Sequence, residues 1–207
     1  MKKMMVLLMT SMLALPALAQ MAGLPVAEDA GIRNPGQMQV SGGIVLGDDI
    51  NLYGGRLTYG MSPELAVFAD FGLLDPDHGD TGWGIQGGGL FALPIADLPF
   101  DLAARATLGY ASLDQDFGPA TVDVDIITVN VGGLISMPVE MVTLYGYLGL
   151  NWARTEVSFR GFSESDTDTD PALGAGVLFP ATPQLSFYGE VMHIDDLWFG
   201  LGARFAF

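Results

Sequence analysis

Val142-Thr143-Leu144-Tyr145-Gly146-Tyr147-Leu148-Gly149-Leu150-Asn151-Trp152 is the stretch that decides the fold. In an extended chain Val142, Leu144, Leu148, Leu150 and Trp152 share one face, and Thr143, Tyr145, Tyr147 and Asn151 share the other. The first face suits lipid. The same division recurs at 100–110, where Phe100, Leu102, Ala104, Ala106, Leu108 and Tyr110 oppose Asp101, Arg105 and Thr107. Aromatic residues fall at both ends of that apolar face, as the girdles of a membrane β-barrel require.

Working outward, period two predicts ten strands, at 37–47, 50–61, 65–74, 82–94, 100–113, 121–136, 142–157, 169–180, 185–194 and 197–207. Their connections alternate in character. One set is short and proline-marked: Ser62-Pro63-Glu64, Pro94 to Pro99, Met137-Pro138-Val139 and Pro180 to Pro183. The other is acidic: Asp48-Asp49, Asp75 to Asp80, Asp114 to Gly118, Phe159 to Asp170 and Asp195-Asp196. Tight turns on the periplasmic side and variable loops outside are what an up-and-down barrel requires. The predicted fold is therefore all-β: a closed antiparallel up-and-down transmembrane barrel of ten strands, with eight as the alternative. Both termini are expected in the periplasm.

Ahead of the strands, Lys2 and Lys3, an apolar run from Met4 to Leu15, Pro16, and the small residues Ala17 and Ala19 form a secretory signal. The run falls short of the roughly 20 residues a transmembrane helix needs. The expected organisation is a signal peptide over 1–19, a flexible periplasmic lead-in over 20–36 and the barrel over 37–207. No cysteine occurs, so disulfides, thiolate chemistry and a lipidated cysteine are excluded.

The sequence holds 8 Lys and Arg against 24 Asp and Glu, and both lysines lie in the leader. So acidic a surface repels phosphates, and no nucleic-acid partner is expected. Half of the residues are nevertheless hydrophobic. Strands that hide apolar content in alternation, each crossing with about 10 residues, reconcile the two.

The same register turns Arg56, Asp70, Gln86, Asp101, Arg105, Thr128, Asn130, Tyr188, Glu190 and Arg204 inward. Unpaired charge in so narrow an interior would be costly. Arg56, Asp70, Asp101, Arg105, Glu190 and Arg204 are therefore expected to form a structural polar network that plugs the lumen. Glycines inside strands, such as Gly87-Gly88-Gly89 and Gly132-Gly133, allow curvature and leave room for large lumen neighbours.

The chain ends Leu197-Trp198-Phe199-Gly200-Leu201-Gly202-Ala203-Arg204-Phe205-Ala206-Phe207. This looks like the closing strand of outer-membrane barrels. With Leu144 to Leu150, Asp166 to Pro171 and Leu185 to Glu190, it resembles the OmpA-like and opacity-protein-like superfamily of small outer-membrane barrels. The resemblance implies a Gram-negative outer membrane and an assembly signal at Phe205 and Phe207, read by the barrel assembly machinery. It also implies eight strands, one hairpin fewer than the periodicity gives. Further expected partners are outer-membrane lipid and lipopolysaccharide, around a monomer.

Catalysis and metal binding have candidates. His193 stands beside Asp195 and Asp196, but Asp195 occupies the place where a barrel deacylase of lipid A carries its serine. His78 sits in an acidic loop and reads as solvated. Asp166, Asp168 and Asp170 could offer carboxylates to Ca²⁺, yet the Gly and distal Glu of an EF-hand loop are missing. A hydrated acidic rim is the reading taken. The expected role is structural or surface-interacting, with no enzyme activity and no cofactor. The alternatives are a narrow porin-like channel for small or hydrophobic solutes and, behind it, a lipid-modifying enzyme.

Overall fold

The computed structural model describes residues 23–31, 34–77, 80–95, 98–117, 120–159 and 162–207. The signal peptide, its cleavage after Ala19, and His78 lie outside the described residues. Ten strands follow one another: β1 (Met38–Leu46), β2 (Ile50–Gly60), β3 (Leu65–Pro76), β4 (Gly82–Leu93), β5 (Asp101–Phe117), β6 (Ala120–Val139), β7 (Val142–Phe159), β8 (Phe162–Pro180), β9 (Leu185–Ile194) and β10 (Asp196–Ala206). Each pairs antiparallel with its sequence neighbours, and β1 closes on β10 through Gln39↔Ala206 to Leu46↔Phe199. The barrel has ten strands, not eight.

Alternation builds the wall. Along β3 every second residue from Ala66 to Pro76 is buried, while Val67, Phe71 and Leu73 are exposed. Large apolar side chains point outward around the barrel, including Phe71, Ile85, Leu108, Leu148, Leu150, Phe199 and Leu201. A contiguous apolar exterior of this extent is a membrane-facing surface. Closure satisfies the backbone hydrogen bonds that hydrocarbon cannot.

The two ends differ. At the turn end, where β1 starts and β10 stops, the links are tight, and Glu140 takes a left-handed conformation (φ 52°) between β6 and β7. At the opposite, hairpin end, β5 to β8 rise above their neighbours. Pairing runs on to Phe117↔Ala120, Asp123↔Ser158 and Phe159↔Phe162, whereas β4 pairs with β5 only as far as Trp83↔Ser112 and β9 with β8 only as far as His193↔Leu173.

The strand ends at 113 and 169 given by turn-residue content were therefore too short. Ser163 to Asp170 continues β8, because alternating Ser, Thr and acid residues suit a solvated two-stranded ribbon against Arg154, Thr155 and Glu156. Pro171 is tolerated because it lies outside the stretch of β8 that pairs with β9, so its missing N–H breaks no ladder there.

Candidate functional site

The interior has two layers. Nearer the hairpin end the inward side chains are apolar: Val45, Leu52, Leu74, Val124, Ile126, Ile194 and Trp198 belong to one buried cluster. Nearer the turn end they are polar, and a further segment of chain, outside the ten strands, lies among them. Residues 23–31, expected in the periplasmic lead-in, run inside the barrel, with Leu24, Val26, Ala27, Glu28 and Ala30 all at most 2 % exposed. For residues 23–31 this departs from the expected periplasmic lead-in over 20–36.

Inward side chains hold that segment by its backbone. Arg56 on β2 donates through Nη1 to the Val26 carbonyl (2.5 Å) and through Nη2 to the Leu24 carbonyl (2.7 Å). On its other edge Nε and Nη2 reach the two Asp70 carboxylate oxygens of β3, both at 2.7 Å, a bidentate pair with both side chains fully buried. Gln86 Nε2 also donates to Asp70 (2.9 Å). Arg105 on β5 donates to the Pro25 carbonyl (2.6 Å), and the Ala27 amide donates to Glu190 Oε2 (3.0 Å). The Ala30 amide reaches Ser136 Oγ (3.0 Å), and Thr58 Oγ1 donates to Glu28 (2.5 Å). Arg204 on β10 pairs with Asp29 (2.9 Å).

Two arginines share one ring: the Arg56 guanidinium carbon lies 4.3 Å from the Phe68 centroid, and that of Arg105 lies 5.3 Å from it. Tyr145 donates to Glu190 (2.9 Å), and Tyr147 to Asn130. These tyrosines need glycine beside them. A Cβ on Gly176 would collide with the Tyr145 ring, and one on Gly132 would lie 2.5 Å from the Tyr147 hydroxyl.

Of the six residues expected in a network, Arg56 and Asp70 contact each other directly. Arg105, Glu190 and Arg204 join them through residues 25–29. Asp101 does not join: it starts β5 at the turn end and is exposed. Glu28 and Asp29, both missed, lie in that interior instead. The available signal was the residue balance of 23–30, which carries two acids and no cation and fits a wall rich in arginine.

At the hairpin end, Asp166, Asp168 and Asp170 lie on the inward side of β8, opposite Thr155, Ala153 and Asn151. Partial burial, then repulsion from Asp166, Asp170 and Asp195, pushes the Asp168 carboxyl above the usual range. Burial, then Asp195, Asp48 and Asp49, does the same to Asp196, opposed by His193. Among the described residues no group of three His, Asp or Glu is placed to hold a metal ion. His193 is exposed, with Leu197 and Leu173 as its cross-strand neighbours. Neither supplies a nucleophile. Phe205 and Phe207 are exposed and meet edge to face, with centroids 5.1 Å apart.

Comparison with known proteins agrees with this architecture. No curated protein matches the sequence. Among solved structures the chain is similar to the outer membrane protease OmpT of Escherichia coli, at 9% identity and TM-score 0.53, over 83% of this chain and 93% of that one. It is similar to the translocator domain of the autotransporter NalP of Neisseria meningitidis at 12% identity and TM-score 0.53, over 86% and 88%. The attachment invasion locus protein Ail of Yersinia pestis matches at 18% identity and TM-score 0.42, over 84% and 100%. At these identities the likeness is one of fold. The sequence itself matches the family described as outer membrane protein beta-barrel domain over residues 5–205, so this chain belongs to that family of outer-membrane β-barrels.

Proposed function

We propose that this protein is a non-conducting, non-catalytic outer-membrane barrel with a structural or surface-interaction role, its lumen plugged by its own residues 23–31. One observation carries the reading: all three nitrogens of the Arg56 guanidinium donate, to Asp70 and to the carbonyls of Leu24, Pro25 and Val26. Such a group is built to hold a strand of chain, not to pass a solute. The apolar layer between segment and hairpin end supports the same reading, since a bore lined by Leu52, Leu74, Val124 and Trp198 offers ions no hydration.

The turn end faces the periplasm and the β5–β8 extension faces outward, where its acidic hairpins meet whatever the protein recognises. Lipid and lipopolysaccharide surround a monomer, and Phe205 and Phe207 present the closing strand to the assembly machinery. The setting of His193 between leucines supports the absence of catalysis.

Planar-bilayer recording tests the reading. The intact protein gives no steady conductance, whereas a chain lacking residues 23–31 conducts or flickers. Stable single-channel steps from the intact protein would overturn the plugged lumen in favour of a narrow channel.

A further inference from the structure

Arg105 is the one inward arginine that, among the described residues, forms no ion pair: its hydrogen bonds go to the Pro25 carbonyl and, at 3.4 Å, to Asn130 Oδ1. Its Nε has no acceptor, although the residue is only 5 % exposed. Thr107 Oγ1 and the Asn151 side-chain nitrogen are among the other buried groups in that condition. A buried donor left unmade is costly, and more so on a guanidinium that Asp70, Glu28 and Glu190 reach only through space, without direct contact.

All three residues line one cavity. It is also lined by Gly23, Pro25, Met192 and Ile194, and has a volume of about 20 Å³. One water needs roughly 10–15 Å³ on that measure, so the cavity takes one or two water-sized groups. A carboxylate or phosphate is too large. The unmet groups are a guanidinium N–H, an amide NH₂ and a hydroxyl, all able to donate, beside a positive charge.

We propose that this cavity is a halide site, in which a chloride ion accepts from Arg105, Thr107 and Asn151 and pairs directly with a guanidinium that has no carboxylate in contact. The site rests on the reading that residues 23–31 fill the lumen, because Gly23 and Pro25 form one side of it. The ion would thereby lock the segment to β5 and β7.

The test uses the full mature protein in detergent. Crystals grown in sodium bromide are expected to show an anomalous peak within hydrogen-bond distance of Arg105, Thr107 and Asn151. The melting midpoint is expected to rise saturably when chloride replaces gluconate at fixed ionic strength, by roughly 2–4 °C. Thr107→Val, nearly isosteric and remote from the Pro25 contact, weakens that dependence several-fold. Water alone at the site, with residues 23–31 seated and equal midpoints in the two salts, overturns the halide while leaving the plug intact. Absence of residues 23–31 from the lumen overturns both.

Discussion

Replacing Arg56 by Met leaves Asp70 buried with its strongest partner gone and strips the donors from the Leu24 and Val26 carbonyls. Removing one member of a buried pair costs about 3–5 kcal/mol, and each orphaned carbonyl adds up to about 1 kcal/mol more. The expected loss is therefore about 4–6 kcal/mol. In a chain lacking residues 23–31 those carbonyls are gone and water reaches Asp70, so the pair resembles an exposed one worth about 0–1 kcal/mol. The coupling between the two changes is thus about 3–5 kcal/mol. Urea unfolding of the four proteins in detergent, followed by fluorescence of Trp83, Trp152 and Trp198, measures it as a double-mutant cycle. Additive losses, agreeing to within about 0.5 kcal/mol, would refute the claim that Arg56 and the segment act together.

Other consequences are read in separate assays. The carboxyls of Asp168 and Asp196 are raised in the folded state, so the folded form holds their protons more tightly than the unfolded chain does. Their contribution to stability is fully present below about pH 3.9 and is lost as pH rises through the raised values. Proteolysis of the β7–β8 hairpin should therefore quicken as pH rises from below about 3.9 towards neutrality, and Asp168→Asn should blunt the change. Gly176→Ala forces the Tyr145 ring off Glu190 and should cost about 1–3 kcal/mol in urea unfolding. Gly133→Ala, whose Cβ meets nothing within 4 Å, should stay within about 0.5 kcal/mol. Deleting Phe207, whose amide donates to the Met38 carbonyl, should lower the yield of barrel that resists unfolding by detergent on an unboiled gel. An undiminished yield would refute its role in assembly.

The wall was legible because its information is local. Every inward residue of β7 and β5 follows from period two, and the direct Arg56↔Asp70 pairing follows from the register of β2 on β3. The extra length of β5 and β8 was not legible. Asp, Ser and Thr favour turns on their own, and only the presence of a paired ribbon across from Ser163 to Asp170 makes them strand.

The segment at 23–31 was hidden for a different reason: it has no period and forms no ladder, and its partners lie up to 175 residues away, as in Arg204 with Asp29. Charge accounting on the wall alone exposes it. Once Asp101 is seen to be an exposed strand start, the polar layer nearer the turn end carries Arg56, Arg105 and Arg204 on the wall against only Asp70 and Glu190. Hydrocarbon outside and an apolar layer above leave no solvent to carry that surplus. Something acidic and thin enough for the bore must enter from the turn end. The stretch Gly23 to Gly31, joined to β1 at that end, contains Glu28 and Asp29 and no cation. An arginine surplus on the inward face of a narrow barrel thus points to an acidic filler, and here the chain carries its own.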